Sequence, residues 1–398
     1  MDFFSTIWII IQVVIGYNLI LPALLYLLWP LLRKRGRAIP DAMLPELDYA
    51  FIVTAYQYTE TLPAVVNSIL ALPYQNYMVY IVADNCDISN LHFDDSRIVV
   101  LRPPEVLASN TRSHHYALKN FRRQHDVLTI IDSDNLVDTA YLREMNVAFA
   151  TGANVVQGLR AAKNLEGQIA ALDAARDIYY HFYDGRILYE IGSSATLSGS
   201  GMAFRVPLYR EFLETHDITG AGFDKVLQAW LLNRGVRIAF SMSAVVFDEK
   251  TSRPEQLINQ RSRWINTWFK YFKLGFGIFF KGLLRLNRNQ FFFGIVLLRP
   301  PLFLFLLASV LCMSLNLLTG HLSAALLWLS ALGIFVVFFF VALLHSHTDQ
   351  RIYRSLRNIP GFIGYQLLSL LKSRRANKIS VSTQHFYTGE TEKSKDEA

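Results

Sequence analysis

Two aspartates flank one serine at Asp132-Ser133-Asp134, directly after the apolar run Val127-Leu128-Thr129-Ile130-Ile131. Carboxylates fixed at the end of a buried strand suit a hard divalent cation, and Mg²⁺ is typically held by one or two carboxylates plus substrate phosphates. The same pair could form a turn, because Asp is a common turn residue. Two other apolar runs end in a similar way. Tyr49–Ala55 leads into Thr54-Ala55-Tyr56, and Met78–Ala83 leads into Asp84-Asn85-Cys86-Asp87. Asp84 alone reads equally well as a cap or turn former. Three acidic or polar strand ends in one sheet weigh towards ligand binding. Asp224 opens a predicted helix, Lys225–Asn233. There it could act as a general base or as a first-turn acid favoured by the helix dipole. Gln260-Arg261-Ser262-Arg263-Trp264 joins guanidinium groups, whose fixed fork of donors suits phosphate, to the flat apolar face of a tryptophan. Taken alone, it fits a membrane-surface anchor as well, because aromatic and basic residues collect there.

These residues need a scaffold, and the chain alternates strand-like and helix-like runs. Helices are predicted over Thr61–Leu72 and Ser113–His125, with further strands over Arg97–Leu101 and Ala244–Phe247. Such alternation implies an α/β fold with a mostly parallel sheet. Ligands bind such sheets at the carboxyl ends of the strands, where the acidic clusters fall. Asp248-Glu249, after the last predicted strand, reads as a surface turn, with a metal or supporting contact as the alternative.

Of 398 residues, 52% are hydrophobic, and the mean hydropathy is +0.24. That balance fits a mixed protein, part membrane and part aqueous domain. The net charge of +7 could suggest nucleic acid, but many Lys and Arg flank apolar runs, which fits anionic lipid headgroups better. Cys86 and Cys312 lie too far apart to make a disulfide framework or a zinc pattern. Ile7–Leu32 is long enough to cross the bilayer and reads as a retained anchor. The basic stretch Arg33-Lys34-Arg35-Gly36-Arg37 after it predicts a cytoplasmic end and an N-terminus outside.

A second span is expected within Phe291–Leu318. Its Arg299-Pro300-Pro301 is costly at bilayer depth, so either the span starts at Pro300 or the helix breaks there beside protein or water. The third span, about Leu322–Leu344, would form a tight hairpin with it. Ile265–Arg285, where phenylalanines interleave with lysines, reads as an amphipathic helix in the interface, as does Ile352–Leu371. The segments expected are therefore 1–39 (anchor and basic flank), 40–264 (catalytic domain), 265–290 (interfacial helix), 291–345 (membrane hairpin) and 346–398 (interfacial helix and tail).

The ordered set Val53-Thr54-Ala55-Tyr56, Ala83–Asp87, Asp132-Ser133-Asp134, Ser198–Phe204, Phe223–Leu227 and Gln260–Trp264 resembles the membrane-integrated family-2 glycosyltransferases. It is similar to the cellulose, chitin and hyaluronan synthase group over roughly residues 48–265. The resemblance implies a GT-A (Rossmann-like) fold and inverting, metal-dependent transfer of a hexosyl or N-acetylhexosaminyl group. The donor would be a nucleoside-diphosphate sugar, with UDP expected. Thr54, Tyr56 and Asp84 would hold the nucleoside, and Asp132 would contact the nucleotide. Asp134 would ligate Mg²⁺ or Mn²⁺ on the diphosphate, and Asp224 would be the catalytic base. Gln260, Arg263 and Trp264 would line the acceptor and diphosphate region, with Gly201 and Met202 of Ser198–Phe204 flanking the acceptor. His385, in Ser382-Thr383-Gln384-His385, faintly resembles a gating segment.

The chain departs from the pattern at Tyr56-Gln57-Tyr58-Thr59-Glu60, where Asn-Glu is common, at Phe223 before the base, and at His114-His115, where Gly-Lys is common. These departures bear on sugar and nucleotide choice more than on the reaction. The expectation is an enzyme at the cytoplasmic face of the inner (plasma) membrane that extends a surface polysaccharide. Single-sugar transfer to a lipid acceptor, polyprenyl phosphate or glycerolipid, is the alternative. The other partners expected are membrane lipids and a homo-oligomer or export partner, but no nucleic acid. A transporter is disfavoured by the lack of repeated long helices, and a nucleotide-binding scaffold by the intact Asp134 and Asp224.

Overall fold

The computed structural model describes residues 3–33 and 39–376. The segment Ser382–His385 lies outside the described residues. Eight strands form one sheet: β1 (Tyr49–Tyr56), β2 (Tyr77–Asp84), β3 (Ile98–Leu101), β4 (Val127–Asp132), β5 (Leu136–Val137), β6 (Val155–Ala162), β7 (Met202–Arg205) and β8 (Ile238–Asp248). Their order is β3-β2-β1-β4-β7-β6-β8-β5. The first four run parallel. β7 is inserted antiparallel between β4 and β6, β6 and β8 are parallel, and β5 lies antiparallel on the edge. All of β2 is buried, which explains its continuous apolar run in place of an alternating pattern.

Each face of the sheet carries its own core. Val53, Val79 and Ile131 pack with Leu62, Val66 and Tyr141 on one side. On the other, Ile52, Tyr80 and Ile130 belong to a cluster that includes Phe182, Tyr209, Phe305 and Trp328. That second core runs without interruption from the catalytic sheet into the apolar helices. The α/β domain is therefore fastened directly to these apolar helices.

Among the described residues, two helices are long and apolar enough to cross a membrane, Phe3–Leu32 and Leu322–His345. The region expected to hold the second span is a pair of helices, Arg288–Leu298 and Leu302–Leu318, bent by 71°. Pro300 and Pro301 account for the break, because proline cannot donate to the preceding turn. Of the two arrangements weighed for Arg299, the structure has the broken helix beside protein: Arg299 is buried and ion-paired with Asp184.

The single helix expected over 265–285 is two. Pro254–Tyr271 runs through the Gln260–Trp264 motif, and Leu274–Leu284 follows. Ile352–Leu371 is likewise divided, between Gln350–Ser355 and Ile359–Lys372. The helix expected over 113–125 is Asn110–Lys119, started by the Ser109 hydroxyl, which accepts the Arg112 N–H.

Candidate active site

Parallel pairing brings the strand ends together. Thr54 lies opposite Asp132 and Tyr56 opposite Asp84. Thr54, Tyr56, Asp132 and Asp134 line a cavity of about 840 Å³ that also receives Asp224, Gln260, Arg263 and Trp264. Asp84, Gly201 and Met202 do not line it. The Asp84 carboxylate accepts the backbone N–H groups of Leu107 (2.9 Å) and Ala108 (2.7 Å). It thereby fixes the loop that leads to Asn110, which is in the cavity wall. Met202 is fully buried in β7. Of the 198–204 segment, Ser198 and Gly199 reach the cavity.

The Asp132–Asp134 turn is held by Ser200, whose hydroxyl oxygen accepts the Asp132 N–H at 3.1 Å. With the Asn135 amide oxygen accepting from Ser200 (2.7 Å), its nitrogen lies 3.1 Å from Asp134 Oδ1 and 3.3 Å from Asp248 Oδ1. Asp134 and Asp248 thus meet around one amide donor. The surface turn expected at Asp248 is therefore corrected: this side chain is buried, 2.7 Å from Arg160 and 2.6 Å from Lys250. Burial opposes its charge, yet Arg160 and Lys250 hold the carboxyl down at about 2. Burial also lowers the Lys163 ammonium, against the pull of Glu249, Asp134 and Asp248.

Asp224 sits in the first turn of the helix Phe223–Asn233, with Lys225 Nζ 3.6 Å away. Gly222, before it, has a φ of +100°, and a Cβ there would meet Thr267 at 2.5 Å and Tyr271 at 2.7 Å. Only glycine fits, and that close approach sets Asp224 beside the helix that carries Gln260–Trp264.

Along that helix, Arg261 is buried and ion-paired with Asp173. Its guanidinium lies 4.1 Å from the centre of the Trp264 ring, and that of Arg176 lies 4.7 Å away. Burial, reinforced by Arg176, brings Arg261 down to about 10. Burial also lowers Arg263.

Sequence reasoning missed Arg160, Arg176, Asp177, His181 and Asp184, all in the cavity wall. Four of the five lie on the helix Gln168–Tyr180 or on the wider π-helical turns His181–Ile187 that continue it. Such turns are rare and gather at functional sites. Gly185 allows the turn to press on Phe240, whose ring atoms lie 2.8 Å from where a Cβ would be. Burial pushes His181 down to about 4, so it is neutral at physiological pH. The available signal was charged residues, Asp173, Arg176, Asp177 and Asp184, inside an otherwise apolar helical stretch.

Part of the cavity wall is apolar. Phe293, Val296, Leu297, Pro300, Leu302 and Phe303, from the bent helix pair, form that part.

Asp132 and Asp134 have the donor chemistry for a hard cation, but no group of three or more His, Cys, Asp or Glu among the described residues could enclose one. This fits Mg²⁺ or Mn²⁺ only where substrate phosphates complete the coordination.

A family profile described as "Glycosyltransferase like family 2" matches residues 45–267. No curated protein matches the chain. Among solved structures, the chain is similar to the mannosyltransferase PcManGT from Pyrobaculum calidifontis, in complex with GDP-Man and Mn²⁺. The TM-score is 0.59 at 13% identity, over 93% of this chain and 98% of that one. At that identity the likeness concerns the fold, which is GT-A-like α/β. It is also similar to S. aureus TarS 1–349 in complex with UDP-GlcNAc, with a TM-score of 0.40 at 15% identity over 83% of this chain and 90% of that one. The profile spans more than half of the chain, from the strand ends through Asp224 to Trp264, and the chain therefore belongs to the Glycosyltransferase like family 2.

Proposed function

We propose that this glycosyltransferase moves one sugar from a nucleoside-diphosphate sugar to a hydroxyl of a lipid-borne acceptor, with inversion at the sugar carbon. The observation that carries this reading is the cavity itself, which joins Asp134 and Asp224 to the apolar wall Phe293–Phe303. A water-soluble acceptor would gain nothing from that wall, whereas a lipid chain would bury apolar surface against it. Polymer extension, expected from the resemblance to polysaccharide synthases, is the less supported reading. Among the described residues, two helices long and apolar enough to span and one bent pair are few for an export channel.

Thr54, Tyr56 and Asp132 bind the nucleotide, and Asp84 acts from behind by fixing the loop to Asn110. A Mg²⁺ or Mn²⁺ ion held by Asp134 would offset charge on the departing diphosphate. The Pyrobaculum mannosyltransferase, in complex with GDP-Man and Mn²⁺, agrees with that pairing of donor and ion. Asp224 takes the proton of the acceptor hydroxyl as its oxygen bonds to the sugar carbon and the bond to diphosphate breaks. Trp264 and Gln260 orient the acceptor, and Arg263 lies beside the diphosphate. A UDP donor, a cytoplasmic catalytic domain and an N-terminus outside complete the proposal.

Purified protein in lipid vesicles, given labelled nucleotide sugars with Mn²⁺, tests it. Label should extract into organic solvent. Label recovered as a water-soluble polymer would restore the polysaccharide reading, and no release of nucleoside diphosphate with any donor would remove both.

A further inference from the structure

Arg299 occupies the break in the bent pair, and two features of that break have no role in the chemistry above. The residue is 5% exposed, Nη2 is bonded to Asp184, and Nη1 has no hydrogen-bond partner among the described residues. The second oxygen of Asp184, Oδ1, is also buried without a partner among them. Both side chains line the cavity. A buried donor and a buried acceptor left without partners at the two ends of one ion pair cost stability unless a ligand meets them. Separately, the 17-residue helix Leu302–Leu318 begins at this break, after Pro301. Its first N–H groups have no intrahelical acceptor, and the positive end of its dipole faces the break. Leu302 and Phe303 belong to the cavity wall. Helix ends at breaks in membrane segments are suited to anionic substrate groups.

We infer that the break is a phosphate site for the acceptor lipid. Arg299 Nη1 and the N-terminus of the helix Leu302–Leu318 hold a phosphodiester there, and Asp184 Oδ1 accepts from a hydroxyl on its head. The acceptor class is then a chain, a phosphodiester and a hydroxylated head, in that order. The chain lies against Val296, Leu297 and Phe303. The head points towards Asp224, whose neighbour Lys225 also acts electrostatically on Asp184. This inference rests on the lipid-acceptor reading but can fail independently of it.

The test is calorimetric binding to the full-length protein in a polyoxyethylene detergent. The probes are dihexanoyl phosphatidylglycerol, dihexanoylglycerol, which lacks the phosphate, and glycerol 3-phosphate, which lacks the chains. The first should bind, and each of the others should bind at least about tenfold more weakly. Arg299→Gln should weaken the first probe by about tenfold or more, the loss expected for one charge-assisted bond. Because that variant strands a buried carboxylate, Asp184→Asn/Arg299→Gln is measured beside it, with size exclusion as the check on folding.

Unchanged binding in the folded double variant would overturn the site. So would dihexanoylglycerol binding as tightly as the phospholipid. Equal binding of glycerol 3-phosphate would overturn the lipid assignment in favour of free phosphate. Arg299-dependent binding with no sugar transferred to lipid would uphold the site and remove the proposed function. Transfer to lipid without Arg299-dependent binding would do the reverse.

Discussion

The Arg261 guanidinium lies 4.1 Å from the centre of the Trp264 ring while ion-paired with Asp173. The tryptophan is thereby fixed by a cation that is itself fixed, although Trp264 remains 39% exposed and lines the cavity. Such cation–π contacts strengthen when desolvated, and misplacing a positioning group by an ångström can lower rate by orders of magnitude.

Trp264→Ala should therefore lower kcat/KM by about a hundredfold with little change in melting temperature. Arg261→Lys should give part of the same loss, because an ammonium cannot both stack a planar face on Trp264 and keep the Nη2 bond to Asp173. Steady-state kinetics alongside thermal unfolding checks this. A large fall in melting temperature for Trp264→Ala would make the residue structural.

Asp224→Asn tests the base. The side chain is 19% exposed, so the fold should tolerate the change. Transfer should fall by about a hundredfold to ten-thousandfold, while nucleotide-sugar binding, measured by calorimetry, stays within a factor of about two. Transfer at an unaltered rate would remove Asp224 from that role.

Metal dependence is tested by chelation. Excess EDTA should abolish transfer, and Mn²⁺ or Mg²⁺ should restore it. Asp134→Ala should raise the metal concentration needed by about tenfold or more, read from activity against free Mn²⁺. Activity that persists in EDTA would free Asp134 from any part in metal binding.

Acid stability should follow two imidazoles that the fold keeps uncharged. Burial pushes His181 down to about 4 and His114, bonded to Tyr209 at 2.8 Å, down to about 3. The folded state keeps both neutral, while the unfolded chain takes up protons below about 6.5. Their contribution is thus fully present above pH 6.5 and is lost as pH falls through 6.5 towards 4. The loss is about 3 kcal/mol for a shift the size of that at His181. Melting temperature should fall between pH 7 and 5, and His114→Gln should flatten the slope. A slope unchanged by that variant would exclude His114 as a source.

The clusters at Thr54–Tyr56, Asp132–Asp134, Asp224 and Gln260–Trp264 were legible because each follows a local rule: apolar run then acid, helix start, basic–aromatic pair. Alternation likewise announced a mostly parallel sheet, since strands buried on both faces read as unbroken apolar runs. β6 and β7 were not found. β7 is four residues long and pairs antiparallel with strands distant in sequence, so its placement has no local signature.

The sequence by itself determined the chemistry available and the apolar lengths that suffice to cross a bilayer. Only the tertiary structure decided that Asp84 lies outside the cavity wall, bonded to the N–H groups of Leu107 and Ala108, and that Asp248 is buried. It alone showed that Arg299, beside the proline break, is buried and paired with Asp184. The reason is that burial and pairing depend on partners far away along the chain. Asp184 and Arg299 are 115 residues apart, and no periodicity in either segment encodes that the two will neutralise each other.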